Sequence, residues 1–232
     1  MINLEFDLDD EQAVFVGEIM SPNKTIVFCN AAAGTGKTTL AMSAANVLVK
    51  DKRNHYDGIV YIVSPYGEDK QGYLPGDITQ KSEIYYEPAY QAMAECGLNP
   101  FSDITKKPLS EKKKYGDGDV KLLTHTYLRG TNLSKKVIIV DEAQNFTVAE
   151  LKKVLTRIHD DCKVIIIGHT GQIDISAASG FARYIEHFKD CVQCSVCELT
   201  INHRGWLSTH ADALDERKVV ERKMIMRDGD YA

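Results

Sequence analysis

The sequence predicts an α/β fold, a mostly parallel central sheet with helices on both faces. Three observations predict it. Short β-branched runs such as "VIIV" (Val137–Val140) and "VIII" (Val164–Ile167) are continuous rather than alternating, as strands buried on both faces require. These runs alternate with segments of helical spacing, which implies βαβ units. Finally, "IVFCNAAAGTGKTTLAMSAANVLVK" (Ile26–Lys50) has the strand–loop–helix order of a phosphate cradle.

In chain order, "LDDEQAVFVGEIM" reads as a helix with Asp9 as its N-cap. Ile26–Cys29 is the first strand and Thr38–Val49 the helix that follows it. Ile59–Val63 is the next strand and Tyr85–Ala94 the next helix. The stretch from Asn99 to Asp119 holds two prolines, a run of lysines and two late glycines, and reads as a solvated surface excursion. Strand Val137–Val140, helix Val148–Ile158, strand Val164–Ile167, helix Ala182–Phe188 and the extended segment Cys191–Ile201 follow. No repeat or obvious linker divides the chain, so a single domain over residues 1–232 is expected.

The chain has 232 residues, 44% hydrophobic and 26% charged, enough for a sizeable core. Its formal net charge of -5 argues against indiscriminate binding to phosphate backbones, although a local basic patch is compatible with it. "MINLEFDLDDEQ" does not have the form of a secretory signal, and no apolar stretch approaches the ~18–20 residues that span a bilayer. The expectation is a cytoplasmic protein without membrane contact. Six cysteines are then expected as free thiols. Three of them, Cys191, Cys194 and Cys197, have a spacing that admits a metal reading with His203 as fourth ligand. No second CxxC pair supports that reading, and a strand of small buried residues fits the segment better.

Ala31 to Thr38 reads A-A-A-G-T-G-K-T, which departs from G-x-x-x-x-G-K-[ST] only at its first position. Ala31, Ala32, Ala33, Gly34, Thr35, Gly36, Lys37, Thr38 and Thr39 form the expected nucleotide-binding loop. Gly34 and Gly36 can supply the positive φ that turns backbone N–H groups toward an anion. Lys37 reaches the β- and γ-phosphates, the Thr38 hydroxyl coordinates Mg²⁺, and the helix start adds its positive end. "KVIIVDEAQN" delivers Asp141 and Glu142 to the end of a buried strand, Asp141 for the metal and Glu142 to orient and deprotonate a water. In "KVIIIGHTGQID", Gln172 can bond the γ-phosphate.

With these motifs the chain resembles the PhoH-like family, a branch of the RecA-like ATPases close to superfamily one helicases. The resemblance covers nearly the whole chain. It rests on "AAAGTGKTTLA", "GYLPGDITQK", "YLRGTNLSKKVIIVDEAQNFTVAELKKVLTRI", "GQIDI" and "SGFARYIEHF". It implies a RecA-like P-loop sheet, Mg²⁺-dependent ATP hydrolysis, and work on RNA or single-stranded DNA. It also implies homo-oligomeric rings, such as hexamers, whose ATP sites are completed by a neighbour. By position, it places Gln12 at the adenine edge and Arg204, in "LTINHRGW", at the γ-phosphate, with the loop aimed at a neighbouring subunit. The sequence departs from the family pattern at Ala31 (usually Gly), at His169 (usually acidic) and at Ser64-Pro65 (usually Arg-Pro).

The leading reading is therefore an ATPase acting on nucleic acid. Lys106, Lys107 and Lys112–Lys114 are candidate phosphate contacts, Tyr115 a stacking residue and Arg129 a second contact. A phosphotransferase acting on a small molecule and a non-catalytic ATP-binding regulator are the alternatives.

Overall fold

A computed structural model describes residues 7–65, 83–109, 111, 118–128, 130–172, 175 and 178–211. Its six-stranded sheet has the order β3-β2-β4-β5-β1-β6, and every pairing is parallel. The strands are β1 Ile26–Ala31, β2 Ile59–Val63, β3 Val120–Thr124, β4 Val137–Val140, β5 Lys163–Gly168 and β6 Cys194–Leu199. The helices that pack on the sheet are α1 Asp10–Met20, α2 Lys37–Lys50, α3 Glu87–Glu95, α4 Val148–Leu155 and α5 Phe181–Phe188.

The period of two along each strand divides the core. Val27, Cys29, Tyr61, Ile139 and Ile165 face α1, α2 and α3, whereas Phe28, Val60, Ile62, Ile138 and Ile166 face α4 and α5. Both faces are covered, which is why the strands read as unbroken apolar runs. Parallel strands also place all their C-terminal ends along one edge. The phosphate loop after β1 and the acidic pair after β4 therefore share that edge.

β3 is the element that the sequence reading missed. Among the described strands it is paired with β2 alone, lies at the sheet edge, and carries Lys121 and partly exposed positions in its middle. Cys194 and Cys197 lie three apart on β6, so they point into opposite halves of the core, and Cys191 is exposed. That arrangement does not gather the three thiols around one ion, and no group of three or more metal-ligating side chains occurs among the described residues. Among the same residues, no helix is long and apolar enough to cross a membrane.

Candidate nucleotide site

The first position of the loop is settled by the sheet. Ala31 is the last residue of β1, is fully buried and pairs with Leu199 of β6. It does not need a glycine, because its backbone is extended strand rather than left-handed. The left-handed positions come later, at Gly34 (φ 74°) and Gly36 (φ 77°), where α2 begins. Gly34 through Thr39 line a cleft of about 630 Å³ together with Gln12, Glu142, His203, Arg204 and residues of α3; Ala31, Ala32 and Ala33 do not line it. That size suits a small organic ligand.

At the strand ends the acidic pair meets the loop. Thr38 Oγ1 donates to Asp141 Oδ2 at 2.9 Å, and Lys37 Nζ lies 3.8 Å from Glu142 Oε1. Asp141 is fully buried. Burial and then the Glu142 charge raise its carboxyl pKa, while a bond from Tyr61 and the Lys37 charge oppose the shift. That bond, from Tyr61 Oη to Asp141 Oδ2 at 2.6 Å, was not foreseen from the sequence. Tyr61 lies in the middle of a strand, and nothing local marks it. Burial, together with Asp141, holds the Tyr61 hydroxyl well above its ordinary pKa, so it remains a donor. The Thr38 hydroxyl and the two carboxylates are hard oxygen donors and suit Mg²⁺ chemically.

Glu142 itself is left-handed (φ 49°), and its N–H donates to Asp141 Oδ1 at 2.7 Å. Gln144 ties this turn to the end of β5. Its Nε2 donates to Glu142 Oε2 at 2.5 Å, and its Oε1 accepts from the His169 N–H at 3.0 Å. Gln172 is exposed in the loop after β5 and does not line the cleft.

Gln12 lines the cleft, and the chain itself also engages its side chain. It is buried and both ends of its amide are engaged: Nε2 donates to the Thr35 carbonyl at 3.0 Å, and Oε1 accepts from the Asp9 N–H at 3.2 Å. The reciprocal bond, Gln12 N–H to Asp9 Oδ1, completes a capping box, a signal already present in the D-x-x-Q spacing. Gln12 thus fixes the start of α1 to the phosphate loop.

Arg204 is brought to its own chain's loop. The segment after β6 folds back over its own phosphate loop, with the His203 N–H donating to the Gly34 carbonyl at 2.9 Å. Arg204 therefore lines its own chain's cleft. Lys106 and Lys107 lie beside Ile104, which bridges to Val120 at the start of β3, so they occupy the sheet edge opposite the loop. Lys112–Lys114, Tyr115, Arg129, "YLPGD" and part of "GQIDI" fall outside the described residues.

A family described as "PhoH-like protein" matches residues 7–204. Protein PhoH of Escherichia coli (strain K12) is 29% identical over 198 residues, covering 78% of this chain and 53% of that protein. A PhoH-like protein of Mycobacterium tuberculosis (strain ATCC 25618 / H37Rv) is 32% identical over 188 residues, covering 78% of this chain and 50% of its own length. The chain thus spans about half the length of these curated relatives. Among solved structures, the HK97 bacteriophage large terminase aligns with a TM-score of 0.51 and 15% identity, over 88% of this chain and 42% of that one. At that identity the likeness is one of fold, in keeping with a RecA-like α/β sheet.

Proposed function

This chain belongs to the PhoH-like protein family, and from that premise we propose that it hydrolyses ATP with Mg²⁺ and couples the cycle to RNA or single-stranded DNA. The observation that carries the proposal is the convergence of Gly34–Thr39, Glu142 and Arg204 on one cleft, with Asp141 bonded to Thr38 behind it.

The left-handed glycines and the start of α2 turn backbone N–H groups toward the phosphates. Lys37 exchanges its Glu142 partner for the β- and γ-oxygens. Thr38 and Asp141 would hold Mg²⁺, which would offset the negative charge of the phosphates. Released from Lys37, Glu142 orients a water and takes its proton as the oxygen attacks the γ-phosphorus, leaving ADP and phosphate. Arg204 meets the charge that develops on the transferring group. Gln12 keeps the loop in register with α1 rather than reading the base.

For the polynucleotide, Lys153 and Arg157 are the cations of interest. They line a second depression with His125, Thr126 and Leu128, next to the helix that follows the acidic pair. A backbone phosphate held there would act on the segment that carries Asp141 and Glu142.

The test is phosphate release from Mg-ATP by the purified chain, with and without RNA or single-stranded DNA. Turnover that polynucleotide stimulates, that Lys37→Ala abolishes and that Glu142→Gln stops without loss of ATP binding is the expected result. Phosphate passed to an added acceptor would indicate a transferase. Tight binding without turnover would indicate a regulator.

A further inference from the structure

The end of the cleft away from the acidic pair has two walls. The wall formed by α1 and the segment after β6 is already engaged. Both ends of the Gln12 amide bond the protein, and Asp9 accepts from the Gln12 N–H and from His203 Nε2 at 2.8 Å. The other wall is α3, which contributes Pro88, Gln91, Ala92 and Glu95.

Glu95 is the unusual member of that wall. It is the last residue of α3, exposed to the cleft, and its Oε2 accepts from Thr39 Oγ1 at 2.5 Å. Among the described residues, its other oxygen has no hydrogen-bond partner. Thr39 lies in the first turn of α2, directly after the Lys37-Thr38 pair. A carboxylate so close to a phosphate loop repels a triphosphate on charge alone. It accepts hydrogen bonds and cannot donate them, so a ligand that gains from it must present donors.

The order of groups along a nucleotide identifies those donors. Lys37, Thr38 and the acidic pair occupy the end where the terminal phosphates belong. On that reading Thr39, the next residue along α2, would lie one step further out, about level with the α-phosphate, and the next donors along the molecule are the ribose hydroxyls. The exocyclic amino groups of the base lie further away.

We propose that Glu95 selects ribonucleoside triphosphates by accepting a hydrogen bond from a ribose hydroxyl, while Thr39 holds its other oxygen in place. The inference rests on the nucleotide-binding reading above and adds the sugar class to it.

The experiment is titration calorimetry of the whole chain with Mg-ATP, 2′-deoxy-ATP and 3′-deoxy-ATP. Wild type should bind ATP at least about tenfold tighter than one of the deoxy analogues, the size expected for a hydrogen bond to a charged group. Glu95→Ala should bind all three within about twofold of each other. It should bind the disfavoured analogue at least as tightly as wild type does, because a like charge has been removed. Glu95→Gln keeps the shape and a partner for Thr39, and should show an intermediate preference. If Glu95→Ala does not fold, the Glu95→Gln ratio decides at unchanged melting temperature.

A carboxylate that only clamps α3 to α2 would shift all three affinities together and leave their ratios alone. Equal wild-type affinities, or a preference that survives in both variants, would overturn the proposal. No affinity for any of the three would instead overturn the nucleotide-binding reading on which it rests.

Discussion

Replacing Gly34 with Ala tests whether the segment after β6 governs the phosphate loop. Gly34 has φ of 74°, a region where a side chain costs about 1–2 kcal/mol. The new methyl would also lie 2.6 Å from Asn202 Oδ1 and 3.0 Å from Arg204 Cγ. Restoring ordinary contact requires a shift of roughly 0.8 Å or more at Asn202. Asn202 is held from both sides. Its Oδ1 accepts from the Arg204 N–H at 2.9 Å, and its Nδ2 donates to Ser208 Oγ at 2.7 Å. Moving it undoes the turn that aims Arg204 into the cleft. The expected loss is about 2–3 kcal/mol, the backbone cost plus a strained contact, or a melting point lower by roughly 4–12 °C. Phosphate release should fall more than about tenfold, short of the 10³ or more that removal of a positioned arginine costs. Gly36→Ala is the comparison for stability. It has nearly the same φ, but the nearest atom to its Cβ would be Gln12 Nε2 at 3.6 Å, so only the backbone cost applies. Scanning calorimetry and phosphate release decide the matter. If Gly34→Ala melts no lower than Gly36→Ala and turns over ATP within twofold of wild type, the segment after β6 does not govern the loop.

Three further outcomes are expected. Arg204→Ala should lose about 10³-fold or more in phosphate release while ATP binding persists, and mixing it with Lys37→Ala should restore nothing, because both residues line one chain's cleft; recovered activity after subunit exchange would place the arginine in trans. Tyr61→Phe removes a donor to Asp141 and should change the Mg²⁺ concentration needed for half-maximal ATP binding by about tenfold, read by calorimetry; an unchanged requirement would reduce Tyr61 to a packing role. Burial lowers the pKa of His125 against the pull of Glu150, so the unfolded chain binds its proton first, and stability present above pH ~6.5 should be lost as pH falls through the folded pKa. His125→Gln should therefore melt with a shallower pH dependence between pH 7 and 5 than wild type, and parallel curves would count against that assignment.

The parts of this fold that could be read from the sequence are those encoded by consecutive residues. "VIIV" and "VIII" announce strands because both of their faces are covered, and Lys37, Thr38, Asp141 and Glu142 stand in short motifs whose chemistry is local. β3 escaped notice because a strand with one neighbour keeps a lysine and partly exposed positions, which mimic a loop. Tyr61, Glu95 and Asn202 escaped notice for another reason. Each acts on the site through a partner far away in sequence, Asp141, Thr39 and Gly34 respectively, and no spacing within the chain signals such contacts. Gln12 stands between these cases, since its capping box was visible while its bond to the Thr35 carbonyl was not.

The same contacts show how the chain is held at Ala31 and at His169. At Ala31 the chain is still strand, fixed by its pairing with Leu199, and the turn toward phosphate begins three residues later. At His169 the junction between β5 and the acidic pair is made by backbone: its N–H bonds Gln144 Oε1. The strict requirement falls one residue earlier. A Cβ at Gly168 would lie 2.7 Å from Gln144 Oε1 and 3.1 Å from the Gln144 backbone nitrogen. Any side chain there would push Gln144 away and, with it, the amide that holds Glu142 Oε2. The orientation of the proposed water-activating carboxylate thus depends on a glycine on the neighbouring strand.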